Sequence, residues 1–332
     1  MTRVRQSAAL VAAAFCGPLL AGGFDPWTQS ARYELEYRVD LTPLVVRPAD
    51  SIRVWVPMPA ANAHQQVLST NIKSPWTHRE TQDRHGNRYI HLEAAGKENA
   101  KGGALVMRFV VQRSPSKGVP QSDARPDTPL DPCRYLAAQR RVPLDGLIRE
   151  IAERESSGRE SDAQKIRAFY DYVTRTMRYS KHGEGWGRGD ALWACDAKYG
   201  NCTDFHSVFV GLARSQKIPA RFIIGFPIPA DKTAGEIGGY HCWAEAYDRQ
   251  RGWVLLDASE AWKTKRLDDY FGTLPSDRVA FTVGRDLMLE PPQQGEPLNY
   301  FIYPYAEVDA QPVERVPCKL RFRRLTEPKA GD

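Results

Sequence analysis

Gly200-Asn201-Cys202-Thr203-Asp204-Phe205-His206-Ser207-Val208-Phe209-Val210-Gly211-Leu212-Ala213 decides how the chain is read. After Cys202, apolar residues fall at Phe205, Val208, Phe209, Leu212 and Ala213. That spacing of three and four marks the buried stripe of an amphipathic helix. Lys217-Ile218-Pro219 ends it, because proline cannot continue a helix. Strand-like runs follow at Arg221 to Phe226, Tyr240 to Tyr247 and Trp253 to Asp257. A buried helix followed by antiparallel strands is an α+β pattern.

The same stretch carries the first of three residues whose order suggests chemistry. His241 lies in Gly239-Tyr240-His241-Cys242-Trp243-Ala244-Glu245, and Asp257 closes Gly252-Trp253-Val254-Leu255-Leu256-Asp257. Cys, then His, then Asp is the order of a thiol catalytic triad. A thiol is a useful nucleophile only as thiolate, and a free Cys has a pKa of about 8.5. At a helix start, unpaired backbone N–H groups and the helix dipole favour the negative charge. An imidazolium beside it lowers the pKa further and later protonates a leaving amine. An Asp on the other ring nitrogen fixes the tautomer and steadies the charged ring. Taken singly, each residue has a plainer reading: a buried thiol, a satisfied strand histidine, a turn or cap carboxylate. The combination predicts catalytic Cys202, His241 and Asp257, with both partners on strands.

Upstream, residues 31–113 read as an all-β N-terminal domain. Tyr33-Glu34-Leu35-Glu36-Tyr37-Arg38-Val39 alternates apolar and polar, the period of a half-buried strand. Ile52-Arg53-Val54-Trp55-Val56 does the same before Pro57-Met58-Pro59, and Val106 to Val111 is another strand. His85-Gly86-Asn87 reads as a hairpin turn before Tyr89-Ile90-His91-Leu92. Short strands between turns predict a β-sandwich-like domain. Residues 114–132, rich in Pro, Ser, Asp and Lys, read as a linker. Residues 133–325 then form the α+β unit with a C-terminal extension. Its first helices show one apolar face through Leu144, Leu147, Ile148 and Ile151, and another through Ile166, Phe169, Tyr170 and Val173. Ser161 or Asp162 would cap the second. His182 to Asp190 is Gly-rich loop, and short strand-like pieces lie at Arg278 to Val283 and Asn299 to Tyr305.

The 332 residues are 42% hydrophobic and 26% charged, which fits a folded globular chain and not a disordered one. Residues 1–23 read as a secretory signal peptide, with Arg3 and Arg5 before the apolar run Ala8 to Leu20. That run is too short to cross a bilayer, and no later segment is long and apolar enough for a membrane helix. The expected location is periplasmic or extracellular. Removing Arg3 and Arg5 lowers the net charge from +6 by two, to +4. Charges of both signs are interspersed, which reads as a solvated surface. No zinc-finger, helix-turn-helix or RNA-stacking pattern is present, so nucleic acid is not an expected partner. Of six cysteines, Cys133, Cys195, Cys202, Cys242 and Cys318 remain after cleavage. An odd number in an exported chain points to one free thiol, Cys202, with the other four either paired or reduced. No Cys/His cluster stands at metal spacing.

Four ordered blocks between residues 190 and 260 resemble the transglutaminase-like superfamily. They are Gly200 to Phe205, Ala213-Arg214 with Ile218-Pro219-Ala220-Arg221, His241 to Glu245, and Gly252-Trp253 with Leu256-Asp257. The resemblance implies a papain-like α+β core with the triad on Cys202, His241 and Asp257. It also implies a preceding β domain like that of many exported bacterial members. The implied activity is acyl transfer or hydrolysis at peptide or amide bonds through a Cys202 thioester, with peptide, protein or cell-wall substrates. No metal or organic cofactor is needed, and no acidic loop has calcium spacing. The alternatives are a non-catalytic peptide- or cell-wall-binding module that keeps the fold, and an interaction protein that docks through its β domain. Near the triad, His206 is expected to face solvent, with a second base or a substrate contact as alternatives. Asp204 is expected to be scaffold. Strand alternation points Cys242 away from Cys202. The backbone N–H of Cys202, with an indole N–H from Trp186 or Trp193, is the candidate oxyanion pair.

Overall fold

The computed structural model describes residues 24–45, 49–95, 101–116 and 131–325. The signal-peptide reading and most of the linker lie outside these residues. Five helices are described: α1 (Gly146–Ser156), α2 (Asp162–Thr176), α3 (Ala191–Ala197), α4 (Cys202–Ser215) and α5 (Ala258–Thr264). Ser161 caps α2 by accepting from the Gln164 N–H at 3.3 Å, while the Gln164 side chain accepts from the Ser161 N–H. Helix α4 is buried on every side from Cys202 to Arg214, with the polar Thr203, Asp204, His206, Ser207 and Arg214 enclosed along with its apolar stripe. None of the described helices is long and apolar enough to cross a membrane.

Three larger sheets organise the chain. In the first, Ala234–Glu236, Cys318–Leu325, Ala31–Asp40, Ala104–Arg113 and Gln65–Lys73 lie side by side. The second runs Gln311–Pro312, Tyr305–Val308, Ile52–Pro57, Arg88–Ala94 and His78–Gln82. Inward residues from both, such as Leu35, Tyr37 and Phe109 with Val54, Ile90 and Leu92, share one core. This is the expected β-sandwich. The third sheet orders Gly252–Leu256, His241–Asp248, Ala220–Pro227 and Arg278–Val283, all antiparallel. Its alternating faces do different work. Ile223, Trp243 and Leu255 pack under the helices. Phe222, Ile224, Cys242 and Phe281 pack against the sandwich, where Tyr37 meets Phe226 and Phe281 edge-on at 6.2 and 6.3 Å. The fold is thus a sandwich in front of an α+β core.

The sandwich does not end where the sequence suggests. Strand Cys318–Leu325 pairs with Ala31–Asp40 along its length, from Val39 opposite Cys318 to Arg32 opposite Leu325. Leu320 and Phe322 turn inward while Lys319, Arg321 and Arg323 face out. Tyr305–Val308 likewise joins the second sheet beside Ile52–Pro57. The extension expected to follow the catalytic unit therefore returns to the N-terminal sheets. One close approach fixes how the third sheet closes. A Cβ on Gly225 would lie 1.9 Å from the carbonyl oxygen of Val279, next to the irregular pairing at Ala280 and Thr282. Only glycine lets those two strands meet there.

Candidate active site

The helix that presents Cys202 is anchored at its first turn. The Asn201 side chain accepts from the Thr203 N–H at 2.8 Å, and the Asp204 carboxylate accepts from the Asn201 N–H at 2.9 Å. That reciprocal cap satisfies the Thr203 and Asn201 N–H groups and holds Cys202 as the first helical residue. Asp204 also accepts from the N–H groups of Gly187 at 2.6 Å and Gly189 at 2.9 Å. Burial pushes its carboxyl up, and these three backbone bonds work against that push. Asp204 is therefore the clamp between the glycine-rich loop and the helix start. The chain can pass it only at a glycine, because a Cβ on Gly200 would sit 2.4 Å from the Asp204 carboxylate.

His241 opens its strand, and its Nε2–H donates to Oδ2 of Asp257 at 2.6 Å. Asp257 is not a strand residue. The strand stops at Leu256, and Asp257 is the N-cap of α5, accepting from the Glu260 N–H at 2.9 Å and the Ser259 hydroxyl at 3.0 Å. The cap gives the carboxylate a fixed direction, which a strand side chain would lack. With Nε2 committed to Asp257, the imidazole has Nδ1 left for Cys202. The structure thus brings together all three residues singled out in the sequence.

Electrostatics in this site run one way. Burial disfavours a charged His241, but Asp257 and the Cys202 sulfur override it and lift its pKa to about 9. The Cys202 thiol is held well below its ordinary value, first by a hydrogen bond from the Cys242 thiol and then by His241, against the cost of burial. The two directions describe a thiolate–imidazolium pair. Behind it lies a residue with no sequence signal. Burial opposes the charge of Arg278, yet Asp277 at 2.6 Å, Asp257 at 3.9 Å and Glu260 at 3.5 Å keep its pKa above the usual range. Arg278 looked like any strand residue, and only its register beside the Asp257 turn reveals it. His241, Asp257 and Glu260 have ligand atoms within 4.8 Å of one another. Arg278 and Lys263, the latter 2.8 Å from Glu260, already supply the positive charge there.

Neighbouring expectations change in part. His206 is wholly buried and does not face solvent. Its Nε2 accepts from the Ala258 N–H at 3.1 Å, so Nδ1 carries the proton and donates to the Cys202 carbonyl at 2.7 Å. Burial lowers its pKa, which suits a neutral ring. It bolts the nucleophile's backbone to the residue after Asp257. His206→Phe, which keeps an aromatic ring there and removes both bonds, is expected to cost about 2–4 kcal/mol. Unfolding in denaturant checks this, and an unchanged midpoint would refute the bolt. Cys242 does not point away from Cys202 but toward the first turns of its helix, with its sulfur 3.9 Å from the Thr203 hydroxyl and 3.8 Å from Nδ1 of His206. At the first residues of a strand, a group beyond the strand end can touch side chains from both faces. Trp186 spends its indole N–H on the Gly183 carbonyl at 3.1 Å, and Trp193 packs edge-on against Tyr199. All five described cysteines are free thiols.

Residues 149–258 match the model of the transglutaminase-like superfamily. An uncharacterised protein of Haemophilus influenzae is 26% identical over 300 residues, covering 78% of this chain and 81% of its own length. The uncharacterised protein YebA of Bacillus subtilis is 26% identical over 131 residues, 35% of this chain and 18% of its own. Among solved structures, a Cytophaga hutchinsonii protein provisionally named a cysteine protease superposes with a TM-score of 0.58 at 16% identity. That superposition covers 91% of this chain and 93% of the other, so the fold likeness extends over sandwich and core together.

Proposed function

We propose that this chain, whose residues 149–258 form a transglutaminase-like core, catalyses acyl transfer at peptide or amide bonds through a thioester on Cys202. One observation carries the reading: a helix-start thiol held as thiolate against a histidine whose far nitrogen is 2.6 Å from a buried, capped carboxylate. The Cys202 sulfur attacks the amide carbonyl, and its backbone N–H, which has no partner within the helix, faces the developing oxyanion. The His241 imidazolium gives its proton to the departing amine, leaving a thioester. His241, now neutral, takes a proton from water or from a second amine, which attacks the thioester and frees the thiolate. Water makes the chain a cysteine protease or amidase, and an amine makes it a transferase of the transglutaminase kind. A cavity of about 580 Å³ lined by Gly238, Gly239, Tyr303, Glu314, Arg315 and Lys319 includes none of the triad residues in its walls.

The setting we infer is outside the cytoplasm, in the periplasm or beyond, on the strength of residues 1–23, with cell-wall peptides as the substrate class to try first. The test is intact-mass measurement after incubation with such peptides, with and without an amine donor. A transient acyl adduct that maps to Cys202 is the expected result, and the released product tells hydrolysis from transfer. Peptide that binds without ever acylating Cys202 would instead support a binding module that has kept the fold.

A further inference from the structure

Thioester chemistry needs one thiol, and this site holds two. Cys242 follows His241, is wholly buried, and sets its sulfur 3.9 Å from the Thr203 hydroxyl and 3.8 Å from Nδ1 of His206. Thr203 and His206 belong to the first turns of α4, the helix that Cys202 begins. Cys242 thus reaches the residue after Cys202 and the one a helical turn beyond it, and both cysteines lie in the core between the third sheet and the sandwich. The other described cysteines are elsewhere: Cys195 under the helices, Cys318 beside Tyr37, Cys133 exposed. We propose that Cys202 and Cys242 form a second reactive site, a dithiol that takes a small hydroperoxide as its substrate and closes to a reversible Cys202–Cys242 disulfide.

Roles within the pair are set by their surroundings. His241 keeps Cys202 ionised, so Cys202 is the attacking sulfur. Burial and the neighbouring thiolate push the Cys242 thiol up, so it waits as S–H. The Cys202 thiolate attacks one peroxide oxygen and the O–O bond breaks. Cys202 becomes a sulfenic acid, and the leaving hydroxide takes the His241 proton to become water. The Cys242 sulfur then attacks the Cys202 sulfur, the S–O bond breaks, and the Cys242 proton leaves with the hydroxyl as a second water. Two thiols are oxidised by one electron each, and one peroxide is reduced. In the disulfide the two sulfurs lie about 2.05 Å apart. Both cysteines are almost fully enclosed, with Cys202 3% accessible, so the oxidant must be small. Without Cys242, a Cys202 sulfenic acid would be open to further, irreversible oxidation.

The experiment treats the whole protein with one equivalent of hydrogen peroxide at neutral pH, alkylates the remaining thiols and maps the peptides. The expected result is a joined Cys202–Cys242 peptide, a protein two hydrogens lighter, and the loss of two alkylatable thiols that a thiol reductant restores. With peroxide in excess, three equivalents or more, Cys242→Ser is expected to leave Cys202 carrying two or three oxygens that no thiol reductant removes. Should that variant not fold, the wild-type map alone decides. Cys202 bearing added oxygens while Cys242 stays alkylatable, Cys242 joined to another cysteine, or an unoxidised Cys202 would each overturn the proposal. No acyl substrate is involved, so a failure here is distinct from failure to find the thioester.

Discussion

Cys202→Ala is expected to lower turnover of a peptide or amide substrate by about 10⁴-fold or more, because the nucleophile and its covalent intermediate are both lost. What survives is the contribution of binding and of the first-turn N–H groups, which do not depend on the sulfur. Cys202→Ser is expected to fare almost as badly. The hydroxyl is far less acidic than the thiol, so the buried ion pair with His241 would not form. Removing a small, nearly inaccessible side chain leaves the helix cap of Asn201 and Asp204 intact. The Ala variant should therefore fold, and its circular dichroism and melting should stay close to the parent's. Steady-state rates on a substrate found by adduct mapping check the prediction. An Ala variant that keeps its turnover would sink the thioester mechanism.

Asp257→Asn is expected to cost about 10³- to 10⁴-fold and to reshape the pH profile. His241 is held at about 9, above its ordinary value, chiefly by the Asp257 charge and hydrogen bond against the cost of burial. The imidazolium is present below about pH 9 and is lost above it. Activity that needs both thiolate and imidazolium is therefore bounded on the alkaline side near pH 9 and on the acid side by the depressed thiol pKa. The stability of the pair has matching signs. The His241 contribution is complete below its unfolded value and is lost as pH rises through about 9. The Cys202 contribution is present above its unfolded value and is lost as pH falls through the depressed one. An Asn removes the negative charge, and burial then favours the neutral ring, so the alkaline limb moves down toward neutrality. Its amide can also donate to Nε2 and lock the wrong tautomer. Alkylation of Cys202 measured against pH reports the same change without a substrate. In the variant, reactivity should rise with pH like that of an ordinary thiol. An unchanged profile would mean that Asp257 acts only as the cap of α5.

The parts of this arrangement that were legible in the sequence were those written in local pattern. The stripe from Phe205 to Ala213 and the Ser161 cap yielded their helices, and Arg278–Val283 emerged as a strand at the expected residues. Gln65–Lys73 and His78–Gln82 escaped notice because their side chains are mostly exposed and carry little apolar alternation. Helices α3 and α5 are seven residues each, too short for a repeating face. His206 and Arg278 were hidden for another reason. What each does depends on a partner brought in by folding, the Ala258 N–H for one and the Asp257 turn for the other. Strand alternation misjudged Cys242 because the rule describes the interior of a strand, and His241 and Cys242 begin one. The alternation of Leu320 and Phe322 with Lys and Arg was visible, but nothing local says that Cys318–Leu325 belongs beside Ala31–Asp40.

That long-range pairing sets an order on assembly. The ribosome releases Ala31–Asp40 early, yet its neighbour on one side is not made until residue 325 has been added. Until then the early sheet has an open edge, and the core shared by Cys202, Leu320 and Phe322 lacks a wall. Closing so large a loop is slow compared with forming local helices. A chain cut short before Cys318 would carry every residue of the triad and still lack that wall. Strand Cys318–Leu325 thus ties the enclosure of the nucleophile to a segment more than a hundred residues further along the chain.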